Sequence, residues 1–242
     1  MNGEASGTIV RVARMPVSWR IFHWVNFLAV FAAVVTGIYI GHPFYQAMIA
    51  EPAVRKFVMG WNRAIHLYAA IMIDVLCVVS FYLYFLSRFE RPVRKLLPTK
   101  EHWREFFEVL ANFFTFNRRK RFDSAELDTF NAVWFTLLHL LLLFQLFTGL
   151  QLYVYGLESG LSSVGGWWPW LIHVATDWTY WAFGGRMGVR WVHHFTMYLL
   201  LGWIAFHVYY EIWRTVYWRE GDIAIAFGGE KIARRQPGPA TQ

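Results

Sequence analysis

Four stretches of the chain are apolar almost without interruption. Residues 21–40 carry no charge, 65–86 carry only Asp74, 130–155 carry none, and 191–213 carry only Glu211. About twenty apolar residues in a helix are enough to cross the ~30 Å hydrocarbon core of a bilayer. The pattern predicts an all-α membrane protein: a four-transmembrane-helix bundle forming one domain over residues 1–242. The first stretch follows a polar segment with Arg11, Arg14 and Arg20 and ends at Gly41-His42-Pro43. It is longer than the apolar core of a signal peptide and lacks a small-residue cleavage site, so it reads as a retained helix.

Two further segments are mixed in character. Residues 99–116 are charged at their start and apolar later, the pattern of an amphipathic cytoplasmic helix lying on the membrane. Residues 165–184 are apolar but interrupted by Pro169, His173 and Asp177, and they hold five tryptophans. Tryptophan settles at membrane–water interfaces, so this segment reads as a Trp-rich lid on the outer side. A fifth crossing there would reverse the last helix.

The basic residues fix an orientation. Three lie in residues 1–20, ten in the 87–129 loop and five after residue 213, against five in the two remaining connections. The excess of Lys and Arg on one side places both termini in the cytoplasm of a bacterium, with the chain a multi-pass protein of its inner membrane. The net charge of +7 thus belongs to membrane topology, and nucleic-acid binding is set aside. A hydrophobic share of 57% and an aromatic share of 20%, with fourteen tryptophans, agree with lipid as the surroundings. The lone Cys77 excludes a disulfide framework, an iron–sulfur cluster and a Cys-x-x-Cys-His attachment for covalent haem.

Histidines supply the chemistry. His23, His66, His193 and His207 fall within or at the edge of the apolar stretches, and an ionisable group in hydrocarbon marks function unless it is otherwise bonded. The predicted topology puts His66 and His193 near the outer surface and His23 and His207 near the inner one. His193 and His207 are fourteen residues apart, about 3.9 turns and ~21 Å, so they share a helix face. His194 is rotated roughly 140° from it. Two imidazoles at each depth suit two b-type haems, low-spin and six-coordinate, which carry electrons and leave no open position for oxygen. Zinc fits less well, because no carboxylate or thiolate completes a tetrahedron. Thr36-Gly37 on the first span and Thr148-Gly149 on the third echo one another. Gly37 is fourteen residues from His23, on the ligand face where a flat cofactor would pass, although ordinary helix packing explains a glycine there equally well.

Other polar residues are weaker candidates. His139 would bind or protonate a quinone near the inner haem, with a structural hydrogen bond as the alternative. Arg63 and Arg190 each precede an outer histidine by three residues and are candidates for haem propionates or interfacial anchors. Asp74 calls for a polar partner or a proton.

Several segments together resemble the b-type cytochrome subunit of membrane-bound nickel–iron hydrogenases. They are Arg20-Ile21-Phe22-His23-Trp24-Val25-Asn26 leading to Thr36-Gly37, Met59-Gly60-Trp61-Asn62-Arg63-Ala64-Ile65-His66, and His193-His194-Phe195-Thr196-Met197 followed by His207-Val208-Tyr209. The resemblance covers most of the chain. It implies haem ligands on the first, second and fourth helices, matching His23, His66, His193 and His207. It further implies a partner on the periplasmic face, made of a hydrogenase large subunit and an iron–sulfur small subunit. Electrons would pass from it through two haem b groups to the quinone pool, with no hydrogen-activating site on this chain. The wider superfamily keeps open a formate dehydrogenase or another quinone-linked oxidoreductase as partner. A membrane anchor or transporter without redox chemistry is the remaining alternative.

Overall fold

The computed structural model describes residues 8–13, 15–44, 57–82, 100–115, 129–157, 165–218 and 222–235. Seven α-helices carry it: α1 (Val17–Gly41), α2 (Val58–Phe81), α3 (Lys100–Phe114), α4 (Thr129–Leu157), α5 (Trp167–Ala182), α6 (Arg186–Trp213) and α7 (Asp222–Gly228). Three of the long helices, Val17–Gly41, Val58–Phe81 and the Thr136–Leu157 part of α4, are long and apolar enough to cross a membrane. The fourth, α6, has 28 residues. The expected end of the second span at 83–86, Thr99, Phe116 and most of the basic loop lie outside the described residues.

The helices begin and end where local chemistry requires. Pro16, extended at φ −63° and ψ 161°, leads into α1, and Pro43 bars the residue before it from helical geometry. Large apolar side chains face outward along the long helices, among them Leu28, Phe31, Tyr68, Val75 and Val78. In water that face would be costly; against lipid tails it costs nothing.

The long helices associate in two pairs. α1 packs along α2, and α4 packs along α6, whereas contacts from one pair to the other are sparse. Trp203 Nε1 donates to Trp134 O at 3.1 Å, and Gln145 Nε2 donates to His193 O at 2.9 Å. Positions rising along α4 therefore meet positions falling along α6, and the two helices are antiparallel. α5 lies between them in sequence and packs on both. Its 16 residues rise only ~24 Å, short of the ~30 Å core.

One end of the bundle is closed by packing and by the chain termini. Phe106 of α3, Val133 of α4 and Tyr210 and Trp213 of α6 form a buried cluster, edged by Leu110, Trp134, Leu137 and Phe206. The amphipathic segment thus lays its apolar face on α4 and α6. Two short strands depart from the all-helical pattern: β1 (Thr8–Ala13) pairs antiparallel with β2 (Glu230–Arg235), bringing the two ends of the chain together. Arg20 and Trp24 on α1 cap the carbonyls of Phe227 and Ala226 on α7, at 2.7 and 3.0 Å.

The turn from α5 to α6 admits little variation. Gly184 and Gly185 have φ of +74° and +97°, a region that favours glycine. A Cβ on Gly188 would fall onto the Phe183 carbonyl oxygen. Gly188→Ala must therefore open this turn and is expected to cost about 1–3 kcal/mol. Thermal unfolding in detergent measures it, and an unchanged midpoint would contradict the packing described.

Candidate di-histidine cofactor site

The C-terminal halves of α1 and α4 and the N-terminal halves of α2 and α6 converge on two histidines. His66 Nδ1 lies 2.9 Å from Ala33 O and 3.1 Å from Thr36 Oγ1. A carbonyl oxygen only accepts, so the proton sits on Nδ1. His193 Nδ1 lies 2.9 Å from Thr148 Oγ1. The Thr148 hydroxyl donates to Phe144 O at 2.5 Å, so its oxygen accepts from the imidazole, which is again protonated at Nδ1. Both rings are left with a bare Nε2, the nitrogen suited to bind a metal.

The spacing fits a metal between them. The two ring centres are 6.3 Å apart, with planes at 73°. Two imidazoles sharing one ion through bonds of ~2.0–2.1 Å hold their centres roughly 6 Å apart. A side chain on either neighbouring glycine would crowd the rings. A Cβ on Gly37 would stand 3.2 Å from His66 Cε1, and one on Gly149 would stand 3.2 Å from His193 Cε1. With sparse packing between the pairs, these residues fit a flat cofactor held edge-on in the bundle. Among the described residues no three His, Cys, Asp or Glu side chains gather as a metal cluster, so the site offers two imidazoles.

The second expected pair is less closed. His23 Nδ1 is buried and has no hydrogen-bond partner among the described residues, and its ring meets Trp24 edge-on at 5.3 Å. His207 stacks on Trp203 at 5.3 Å and 18°. The Glu211 carboxylate is 3.9 Å from its Nδ1, beyond a hydrogen bond. α1 and α6 touch, and the two imidazoles are close enough to interact electrostatically.

The other candidates fall elsewhere. His194 points to the end of α1, where a Cβ on Gly41 would meet its Cε1 at 2.5 Å; helix phase had separated it from the ligand face. His139 Nε2 lies 3.3 Å from Ser80 Oγ, a bond between α4 and α2. Arg63 and Arg190 are exposed. Asp74 is half-buried and makes no hydrogen bond among the described residues.

A polar ladder beneath α5 has no counterpart in the sequence reading. Gln151 is 1% exposed and Thr176 is fully buried. Thr176 donates to Gln151 Oε1. Gln151 Nε2 donates to Asp177 Oδ1 at 3.2 Å and to the Tyr155 hydroxyl at 3.1 Å. Asp177 also accepts from His173 Nδ1 at 2.7 Å. Gln145, Thr148 and Gln151 recur every three residues along α4, so one polar stripe grips His193 and then α5. The signal was this three-residue polar repeat inside an apolar run.

Residues 14–229 match the family described as prokaryotic cytochrome b561. The chain belongs to that family. Membership implies haem b, and the chemistry of the His66 and His193 imidazoles fits such a group. The chain is 28% identical over 229 residues, covering 93% of it and 82% of the relative, to a probable Ni/Fe-hydrogenase B-type cytochrome subunit of Rhodobacter capsulatus. Proteins of the same name are 25% identical in Cupriavidus necator, covering 93% of this chain and 89% of the relative. One from Escherichia coli K12, named for hydrogenase 1, is 26% identical over 78% of this chain and 77% of its own length.

Two substitutions separate the cofactor cradle from the polar ladder of this cytochrome. Gly149→Leu fills the space beside His193 and is expected to lower the haem content of the purified protein while helix content by circular dichroism stays unchanged. Gln151→Leu strands buried polar groups at a cost of about 1–3 kcal/mol, read as an earlier thermal unfolding with haem content retained.

Proposed function

We propose that this chain is the membrane-anchoring di-haem cytochrome b that carries electrons from a periplasmic nickel–iron hydrogenase to the quinone pool of a bacterial inner membrane. The observation that carries the proposal is the His66–His193 pair: two imidazoles 6.3 Å apart, each protonated at Nδ1 and offering Nε2. The names of the relatives support a hydrogenase as partner; in this proposal it comprises an iron–sulfur small subunit and a large subunit on the outer face.

In this reading His66 and His193 hold the outer haem and His23 and His207 the inner one. When bound, each haem supplies a one-electron couple with no open coordination position. The chain's own residues do the rest. They fix the imidazoles, keep water and oxygen from the iron, and hold the two sites about 21 Å apart along α6. The excess of Lys and Arg on one side supports a cytoplasmic location for both termini, on the same side as the quinone reaction. The pairing of β1 with β2 supports a shared side for the two ends. Arg63 and Arg190, exposed beside the outer pair, are available to haem propionates. His139 remains the candidate for the quinone, although its bond to Ser80 also serves to join α2 to α4.

The test is spectroscopic. The wild-type complex should give two haem b per chain by pyridine haemochrome, both reduced by hydrogen. His66→Ala or His193→Ala should each remove one haem and abolish hydrogen-dependent quinone reduction while leaving hydrogenase activity toward a soluble dye. Retention of both haems in either variant would overturn the ligand assignment. Co-purification with a formate dehydrogenase in place of a hydrogenase would overturn the partner.

A further inference from the structure

We propose that Thr36 and Thr148 are positioning residues that lower the redox potential of the outer haem by accepting hydrogen bonds from the Nδ1–H groups of its two ligands; this rests on the reading that His66 and His193 hold that haem. The two threonines act alike from different helices. Each donates its hydroxyl proton to the carbonyl four residues back in its own helix, Thr36 to Ala32 at 2.6 Å and Thr148 to Phe144 at 2.5 Å. Each then turns an oxygen lone pair to a histidine of the partnering helix, at 3.1 and 2.9 Å. In both cases the next residue is the glycine beside that ring, Gly37 or Gly149. Threonine followed by glycine is thus one device used twice: the hydroxyl holds the ring edge and the missing side chain leaves room beside it.

The consequence is electronic. An acceptor at Nδ1–H pushes electron density into the ring and makes Nε2 a more basic ligand. A more basic ligand favours the ferric state, and hydrogen bonding around a haem is among the protein's means of setting its potential. Among the described residues His23 has no such acceptor, and His207 faces the Glu211 carboxylate at 3.9 Å. The outer site is therefore held lower than it would otherwise stand, which favours electron movement inward. The two threonines are unequal. Thr148 is the acceptor for His193, whereas His66 keeps Ala33 O at 2.9 Å whatever stands at position 36.

Redox titration of the purified complex, followed in the haem α-bands, tests this. Thr148→Val should raise the potential of one haem and leave the other in place. Thr36→Val should raise the same haem by less, and Thr148→Ser, which restores the hydroxyl, should return the wild-type value. Low-spin ferric electron paramagnetic resonance should show altered g-values for that same haem in Thr148→Val and not in the serine variant. If Thr148→Val loses haem, the milder Thr36→Val shift carries the test. Unmoved potentials with both haems present, or a serine variant shifted as far as the valine one, would overturn the proposal and leave the ligand assignment standing. That assignment fails separately, if His193→Ala retains both haems.

Discussion

A hydrogen-bonding group inside a bilayer must find its partner within the protein, and the imidazoles of His66 and His193 meet that demand through the helix opposite. His66 on α2 is held by Ala33 and Thr36 of α1, and His193 on α6 by Thr148 of α4. Each bond ties the two helices of a pair and fixes which nitrogen of the ring stays bare. Structure and chemistry thus follow from one constraint. The same hydroxyl that removes the cost of a buried Nδ1–H prepares Nε2 for a metal.

That constraint also explains why the bundle is two pairs and not a uniform four. α1 with α2 and α4 with α6 are bonded and packed, each glycine making room for the histidine of its own pair, while contacts between the pairs are sparse and His66 meets His193 across them. A flat, apolar cofactor clamped from both sides would supply much of the contact surface that the pairs do not give each other. At the closed end, Phe106, Val133, Tyr210 and Trp213 join α3 to the α4–α6 pair, and the bonds from Arg20 and Trp24 to α7 tie α1 to that end.

Much of this was legible in the sequence. Unbroken apolar runs mark the long helices because lipid places no polar demand on their outer faces. The fourteen-residue step from His193 to His207 separated His193 from His194, and the structure turns His194 toward Gly41. The Thr-Gly echo was visible as a pair of small residues, but the hydrogen bonds were not, since the carbonyl four residues back and the histidine on another helix are set by packing. Gln151, Thr176 and Asp177 were hidden for the same reason: a polar residue in an apolar run announces a partner without naming it. The pairing of β1 with β2 joins segments more than two hundred residues apart, a distance at which local pattern carries no information.

The central claim is that one iron sits between His66 and His193, and a cryo-electron microscopy map of the complex tests it most directly. The account predicts haem density in the cleft between the two helix pairs, passing over Gly37 and Gly149, with iron joined to Nε2 of both histidines. Lipid or side chains filling that cleft, or haem density ligated by other residues, would contradict it.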